Sequence, residues 1–187
     1  NRLMEIGMHT SFQAIQISPS VYRVGAIDWA LRNFHGYETR RGSTYNAFLV
    51  KGTSGYVLID TVKKGFEDEL MARIKSVCDP RQIVAIISNH AEMDHSGNIP
   101  YVLERIAPDA KVYASVMGAK ALAAHFGADF HAIPVAPSST LEIAGRKFHF
   151  VETRMLHWPD SMWTFDVEER VLFSNDAFGM HLAGLPC

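Results

Sequence analysis

The chain has 187 residues, 48% of them hydrophobic and 20% charged, and its formal net charge is -2. This composition is typical of one folded domain with a sizeable core, and it excludes a disordered chain. The charge balance, without a basic stripe, argues against nucleic acid as a partner, and no apolar run is long enough to cross a membrane.

Apolar periodicity predicts strands in the first part of the chain, followed by alternating helices and strands. Residues 27–41 are less regular and rich in aromatic side chains. Strands are predicted at 12–17, 21–24, 45–50, 56–60, 83–87, 112–114, 130–135, 141–143, 147–152, 162–167 and 171–174, and helices at 66–77, from 97 to about 106, and to about 126 after the capping residue Ser115.

This order of elements is not that of a simple doubly wound sheet. It favours a sandwich of two mixed sheets with helices outside, the αββα arrangement of the α/β (α+β) class. No linker or repeat interrupts the pattern, so we expect a single domain over residues 1–187. Cys78 and Cys187 fit no disulfide or metal-ligand spacing, which is typical of a reducing cytoplasm.

The stretch 89–97, Asn-His-Ala-Glu-Met-Asp-His-Ser-Gly, follows the buried strand at 83–87. His90, Glu92, Asp94 and His95 therefore lie at the carboxyl end of an interior strand, where open α/β sheets usually place ligands. A polar loop whose aspartate caps a helix is the alternative. Two carboxylates gathered this closely would repel each other without a cation, so the pattern favours a metal site.

Two later strand ends offer further ligands. Pro159 breaks regular structure just after His157 and leaves that imidazole on a loop, and Asp176 follows the apolar strand at 171–174. A carboxylate at Asp176 could bridge two cations. Taken alone, His157 could be a packed or solvated histidine and Asp176 a turn former.

The ligand types indicate which metal the site takes. Three imidazoles and three carboxylates without a thiolate suit divalent or trivalent first-row metals. A zinc hydrolase built on this loop would usually have histidine where this chain has Glu92, and the added negative charge makes bound water less acidic. This favours iron redox chemistry, and zinc hydrolysis stays open as the alternative.

With these motifs, the chain resembles the flavodiiron proteins (A-type flavoproteins, including flavorubredoxin) in their amino-terminal metallo-β-lactamase-like domain. The resemblance implies one iron held by His90, Glu92 and His157, a second held by Asp94 and His95, and Asp176 as the bridge. The stretches that carry it are 28–29, 34–36, 41–46, 58–62, 89–97, 152–153, 155–162 and 173–179. It also places His35 in the substrate pocket or beside the ligands, and gives His181 no role.

The resemblance implies a di-iron oxidoreductase that reduces dioxygen to water, nitric oxide to nitrous oxide, or both. Its electrons would come from FMN in a flavodoxin-like domain, fed by rubredoxin or a similar donor, in a head-to-tail homodimer. The family has one more histidine ligand and then the FMN domain after the bridging aspartate, and this chain ends before both. We therefore expect a fragment or one part of a split protein. A non-catalytic remnant that kept the fold is a further alternative.

Overall fold

A computed structural model describes residues 12–184. The remainder of the predicted domain, including Cys187, lies outside the described residues. Cys78 is a free, partly buried thiol. No helix within residues 12–184 is long and apolar enough to cross a membrane.

The described part contains strands throughout and four α-helices. The strands are β1 (Ile15–Ser18), β2 (Val21–Arg23), β3 (Ala26–Asp28), β4 (Asn33–Phe34), β5 (Tyr37–Glu38), β6 (Ser43–Tyr45), β7 (Phe48–Lys51), β8 (Tyr56–Ile59), β9 (Ile83–Ser88), β10 (Lys111–Ser115), β11 (Ile133–Val135), β12 (Thr140–Ile143), β13 (Arg146–Glu152), β14 (Met162–Asp166) and β15 (Val171–Phe173). The helices are α1 (Glu67–Lys75), α2 (Met93–Ser96), α3 (Ile99–Arg105) and α4 (Val116–Phe126).

The first sheet has seven strands in the order β1-β2-β7-β8-β9-β10-β11. Its first four strands pair antiparallel, whereas β8, β9, β10 and β11 pair parallel. The second sheet, β12-β13-β14-β15, is antiparallel throughout. Two small ribbons, β3 with β6 and β4 with β5, stand apart from both sheets.

Alternate side chains of the central strands enter two different cores. Val57 and Ile87 face the second sheet and pack with Phe148 and Phe150. Leu58, between two inward residues of β8, instead joins the core under the helices. Burial of each such side chain stabilises the fold by about 1.5–3 kcal/mol, so β8 and β9 are anchored on both faces.

Helices α1, α3 and α4 contribute buried side chains to the core on the outer face of the first sheet. Ser115 caps α4 by accepting a hydrogen bond from the backbone N–H of Gly118 at 2.9 Å, as predicted. Among the described residues, no helix covers the far face of the second sheet, where Leu172 is 44% exposed. The predicted sandwich of two sheets is confirmed, with its helical layer on the first sheet.

One predicted strand, 45–50, is in fact two. Ala47 separates β6 from β7, and its carbonyl accepts hydrogen bonds from the backbone N–H groups of Val24 and Gly25. The backbones cross closely here, since a Cβ at Gly25 would lie 2.0 Å from the carbonyl oxygen of Tyr45. The predicted strands at 12–17 and 130–135 are also shorter, being reduced to β1 and β11.

A buried ion cluster joins the two sheets at the amino end of β13. The Arg146 guanidinium donates to Asp166 at 2.9 Å, to the hydroxyl of Ser20 at 2.8 Å and to the carbonyl of Lys51 at 3.2 Å. The second oxygen of Asp166 accepts from the backbone N–H of Glu168 at 3.1 Å. We call Arg146 and Asp166 with these partners the arginine cluster.

Candidate metal centre

The predicted site residues meet at the carboxyl ends of three strands. His90 follows β9, His157 lies in the loop between β13 and β14, and Asp176 follows β15. Asp94 and His95 lie in the short helix α2. Strands from both sheets therefore contribute to the site.

Local hydrogen bonds fold the motif after β9 into a tight turn. The hydroxyl of Ser96 donates to the carbonyls of Ala91 at 2.8 Å and Glu92 at 3.1 Å. The backbone N–H of Gly97 donates to the carbonyl of Met93 at 3.0 Å, and a Cβ at Gly97 would lie 2.4 Å from that oxygen. Glycine ends the motif because the backbone approaches itself closely there.

Four side chains form a cluster that could hold a metal ion: His90, Glu92, His157 and Asp176, with one donor atom each within 4.8 Å of the others. Oε2 of Glu92 lies 3.1 Å from Nε2 of His90 and 3.4 Å from Nε2 of His157. Oδ2 of Asp176 lies 3.3 Å from Nε2 of His157 and 3.9 Å from Nε2 of His90. Ligands at bond lengths of about 2.1 Å stand roughly 3.0–3.4 Å apart at right or tetrahedral angles, so this spacing fits one ion.

A second set of donors lies beside the first. Oδ2 of Asp94 is 3.4 Å from Nε2 of His95, which is 2.7 Å from Oδ1 of Asp176. The His95 and Asp176 atoms are close without the alignment of a donor and an acceptor. Oδ1 of Asp94 and both ring nitrogens of His95 are buried and have no hydrogen-bond partner within residues 12–184. Buried polar atoms are normally satisfied, so these atoms fit a site for a cation.

The two imidazoles of the motif are basic in the metal-free protein. Burial by itself would lower the pKa of His90, yet hydrogen bonds with Asp160 and Glu92 raise it to about 10. Burial would likewise lower the pKa of His95, but the Asp176 and Asp94 carboxylates raise it to about 9. Protons thus occupy positions at which a cation would sit.

Burial and neighbouring charges also shift the pKa values of the carboxylates. Burial would raise the pKa of Glu92 and of Asp176, but the imidazoles beside them hold both pKa values below the ordinary range. Asp94 differs: burial, with the nearby charges of Glu92 and Asp176, raises its pKa despite the attraction of His95. Asp94 is thus a buried carboxylate with two other carboxylates nearby, an arrangement that a bound cation would favour.

His35 and His181 lie at the mouth of the site. Nε2 of His35 is 2.6 Å from Oε1 of Glu92, the oxygen turned away from His90. The His181 ring packs against Phe34, with 5.1 Å between ring centroids, and its Nδ1 lies 3.0 Å from the hydroxyl of Ser43. His35 thus contacts a member of the cluster, while His181 contacts the wall.

A cavity of about 830 Å³ opens over these donors. Its lining combines Glu92, Asp94, His95, His157 and Asp176 with an aromatic and aliphatic wall. That wall includes Phe34, Tyr37, Leu156, Trp158, Trp163 and Phe178. A few polar groups under apolar walls are typical of a ligand pocket.

Sequence reasoning assigned no role to Asp160, which the structure places behind His90. Its oxygens lie 3.1 and 3.2 Å from Nδ1 of His90, and one accepts the backbone N–H of Ala91 at 2.6 Å. The Asp160 carbonyl accepts from Ser115 at 2.7 Å. The bond between Asp160 and Nδ1 of His90 orients the imidazole so that its Nε2 faces the cluster. The available signal was a carboxylate three residues after His157.

Asp60 was also given no role. It is 2% exposed at the end of β8 and accepts hydrogen bonds from the side chains of Asn89 and Asn175. Burial raises its pKa, although nearby His95 and these hydrogen bonds oppose the change. The sequence contained a signal for Asp60, because this acidic residue ends an apolar strand, and a similar position led to the prediction of His90 as a ligand.

Fold and site together define a metallo-β-lactamase-like sandwich whose imidazole and carboxylate donors meet at the ends of its strands. The chain belongs to the ODP family beta lactamases, whose model matches residues 44–184. The resemblance to flavodiiron proteins found in its motifs is confirmed by the relatives it matches.

Three of these relatives illustrate the likeness. A nitric oxide reductase of Moorella thermoacetica is 41% identical over 174 residues, which are 91% of this chain and 43% of that protein. The rubredoxin oxygen:oxidoreductase of Desulfovibrio gigas superposes with a TM-score of 0.86 at 42% identity, over 92% of this chain and 43% of that one. The flavodiiron protein of Giardia intestinalis gives 0.84 at 34% identity, over 92% and 42%. This chain therefore spans less than half the length of such relatives.

Proposed function

We propose that this domain holds two iron ions. His90, Glu92 and His157 would bind the first, Asp94 and His95 the second, and Asp176 would bridge them. The chemistry of the donors supports iron, because imidazoles with several carboxylates and no thiolate suit a first-row metal that changes its oxidation state.

The geometry of Asp176 carries this proposal. Its Oδ2 turns towards His157 and His90, at 3.3 and 3.9 Å, while its Oδ1 lies 2.7 Å from His95. One carboxylate thus presents one oxygen to each of the two sets of donors. A single ion would leave one of these sets without a function.

Within the whole protein, we propose that the site reduces dioxygen to water, nitric oxide to nitrous oxide, or both. The names of similar proteins, a nitric oxide reductase and a rubredoxin-oxygen oxidoreductase, support both substrates. Electrons would come from FMN in a flavodoxin-like domain, with rubredoxin or another small protein as donor. We further propose a head-to-tail homodimer in the cytoplasm, where the free thiol of Cys78 would stay reduced.

The chain's own groups would shape this reaction. Bound iron would supply the redox chemistry and the Lewis acidity. His35, 2.6 Å from the outer oxygen of Glu92, would hold that carboxylate and line the substrate pocket. The apolar wall around Trp158 and Phe178 would admit a small neutral gas and limit water around the reduced site.

The experiment is iron analysis of the natural-length protein, with dioxygen and nitric oxide consumption measured under a reduced flavin donor. Two irons per chain and turnover of at least one gas are expected. Two zinc ions with esterase turnover would overturn the proposal in favour of the hydrolase alternative. Absence of both metal and turnover would favour the non-catalytic remnant. The oxidoreductase names of the matched relatives already favour the iron proposal over the hydrolase.

A further inference from the structure

Asp60 is a buried carboxylate outside the proposed ligand set. It accepts three hydrogen bonds: from the backbone N–H of Asn89 at 2.7 Å, from the Asn89 amide at 3.2 Å and from the Asn175 amide at 3.0 Å. Burying a charged group is costly unless its lone pairs are satisfied, and here the satisfying donors come from two particular residues. Each of these asparagines directly precedes a proposed metal ligand.

The link through Asn175 reaches the proposed bridge. Its amide nitrogen donates to Asp60, while its amide oxygen accepts the backbone N–H of Asp176 at 2.8 Å. The side chain is therefore held at both ends, and it cannot flip without losing both bonds. Asn175 also has a φ of +51°, in the left-handed region that asparagine tolerates better than most residues. The backbone of Asp176 is thereby tied to the first sheet through one amide.

The link through Asn89 joins the sheets by a different route. The hydroxyl of Thr164 donates to the side-chain oxygen of Asn89 at 2.6 Å, and the backbone N–H of Met162 donates to its carbonyl at 2.9 Å. Both of these donors belong to β14. This route supports the end of β9 through the Thr164 side chain. Thr164 also pairs with Phe173 of β15 through the backbone, and a change of its side chain leaves that pairing in place.

We propose that Asp60 is a positioning residue that acts through Asn175, setting where the Asp176 carboxylate stands between the two sets of donors. The inference rests on the proposed two-iron site. Asp60 lies at the end of β8 in the first sheet, whereas Asp176 follows β15 in the second. The hydrogen-bonded chain from Asp60 through Asn175 to Asp176 therefore fixes the spacing of groups that come from opposite halves of the sandwich.

Asn175→Ala tests this directly, because it removes the relay and leaves the bonds from Asn89 to Asp60 in place. Ferrous iron is titrated anaerobically into the metal-free, natural-length protein. We expect the more weakly bound iron equivalent to lose about 10–100-fold in affinity, as is typical when a group that supports a ligand is removed. We also expect a weaker electron paramagnetic resonance signal from the coupled mixed-valence pair at full loading.

Thr164→Val is the matched control. It removes one buried hydrogen bond from the same network with little change of shape, on the route that does not reach Asp176. The proposal requires that this variant keep the wild-type titration and spectrum, even if its melting temperature falls as far as that of Asn175→Ala. Equal effects of the two variants on the spectrum, or an unchanged titration in Asn175→Ala, would overturn the inference. Failure of the wild-type protein to bind two irons would instead overturn the proposed function.

Discussion

Two buried groups of charged side chains occupy opposite ends of the sandwich, and they are built differently. In the arginine cluster, the guanidinium of Arg146 and both oxygens of Asp166 have hydrogen-bond partners. In the metal centre, Oδ1 of Asp94 and the ring nitrogens of His95 have no such partner in the described part of the chain, and carboxylates stand close together. Opposite charges pair in the arginine cluster, although Oε2 of the neighbouring Glu169 has no hydrogen-bond partner among the described residues. The metal centre is the unsaturated cluster, since its carboxylates and imidazoles are organised for a cation.

Arg146→Ala should give the largest loss of stability, because it leaves Asp166 buried without its counter-charge. Removing one partner of a buried ion pair typically costs about 3–5 kcal/mol. Denaturant unfolding of the metal-free protein measures this change. The exposed pair of Arg40 with Glu38 is the control, and Arg40→Ala should cost less than about 1 kcal/mol. Equal costs for the two variants would remove the distinction between a buried cluster and a surface pair.

Glu92→Ala should impair iron binding strongly and stability less, the reverse of what we expect for Arg146→Ala. Iron affinity should fall at least about 100-fold and gas consumption should be lost, because the variant removes a proposed ligand. The metal-free protein should lose less stability than in Arg146→Ala, because His90 keeps its bond to Asp160 when Glu92 is removed, so no buried charge is left without a partner. Iron analysis and denaturant unfolding measure the two quantities. Unchanged gas consumption in this variant would show that the ligand assignment is wrong.

Asp160→Asn should have a smaller effect on iron, about tenfold in affinity. The asparagine keeps the shape but is neutral, and its amide NH2 would replace the oxygen that lies 3.2 Å from Nδ1 of His90. The imidazole would keep one neutral acceptor in place of a carboxylate, so its orientation would be held less firmly. Chelator competition measures the affinity, and the exposed Asp79→Asn is the charge-matched control, which should leave the affinity unchanged.

Metal uptake should depend on pH in a defined direction. The pKa values of about 10 for His90 and about 9 for His95 mean that both imidazoles carry protons near neutrality, and a metal must displace them. Affinity should therefore rise with pH, by about tenfold per unit for each proton displaced, until the pH approaches these pKa values. Chelator competition at several pH values, corrected for the chelator's own titration, measures the slope. A flat profile would mean that the unsaturated cluster holds no displaceable protons.

Much of the fold follows from apolar patterning within short windows. The buried strand β9, the amphipathic helix α1 and the Ser115 cap of α4 depend on neighbouring residues, and all three are confirmed. The break between β6 and β7 could not be predicted, because it arises where the backbone at Gly25 crosses the distant Ala47. Alternating hydrophobicity does not record such crossings.

The site residues also divide into those that local sequence predicts and those that only the folded structure shows. The donors of the motif after β9 could be predicted because four of them lie within residues 90–95. His157 and Asp176 could be predicted because each follows a strand. Asp60 and Asp160 form hydrogen bonds with residues far away in the chain, 29 positions to Asn89, 115 to Asn175 and 70 to His90. A sequence shows that a carboxylate is present, but only the packing of the two sheets shows which imidazole or amide it meets.

The loop between β13 and β14 supplies His157 to the proposed first iron and Asp160 to the back of His90. Its length is therefore under a double constraint, because one added or deleted residue between these two positions would displace an imidazole and also free a second one to rotate. Chain length in this interval should tolerate far less variation than the exposed turn at Ala128 and Asp129. A scan of single-residue insertions through both segments, with folding and iron binding measured, would show which of them tolerates a change of length.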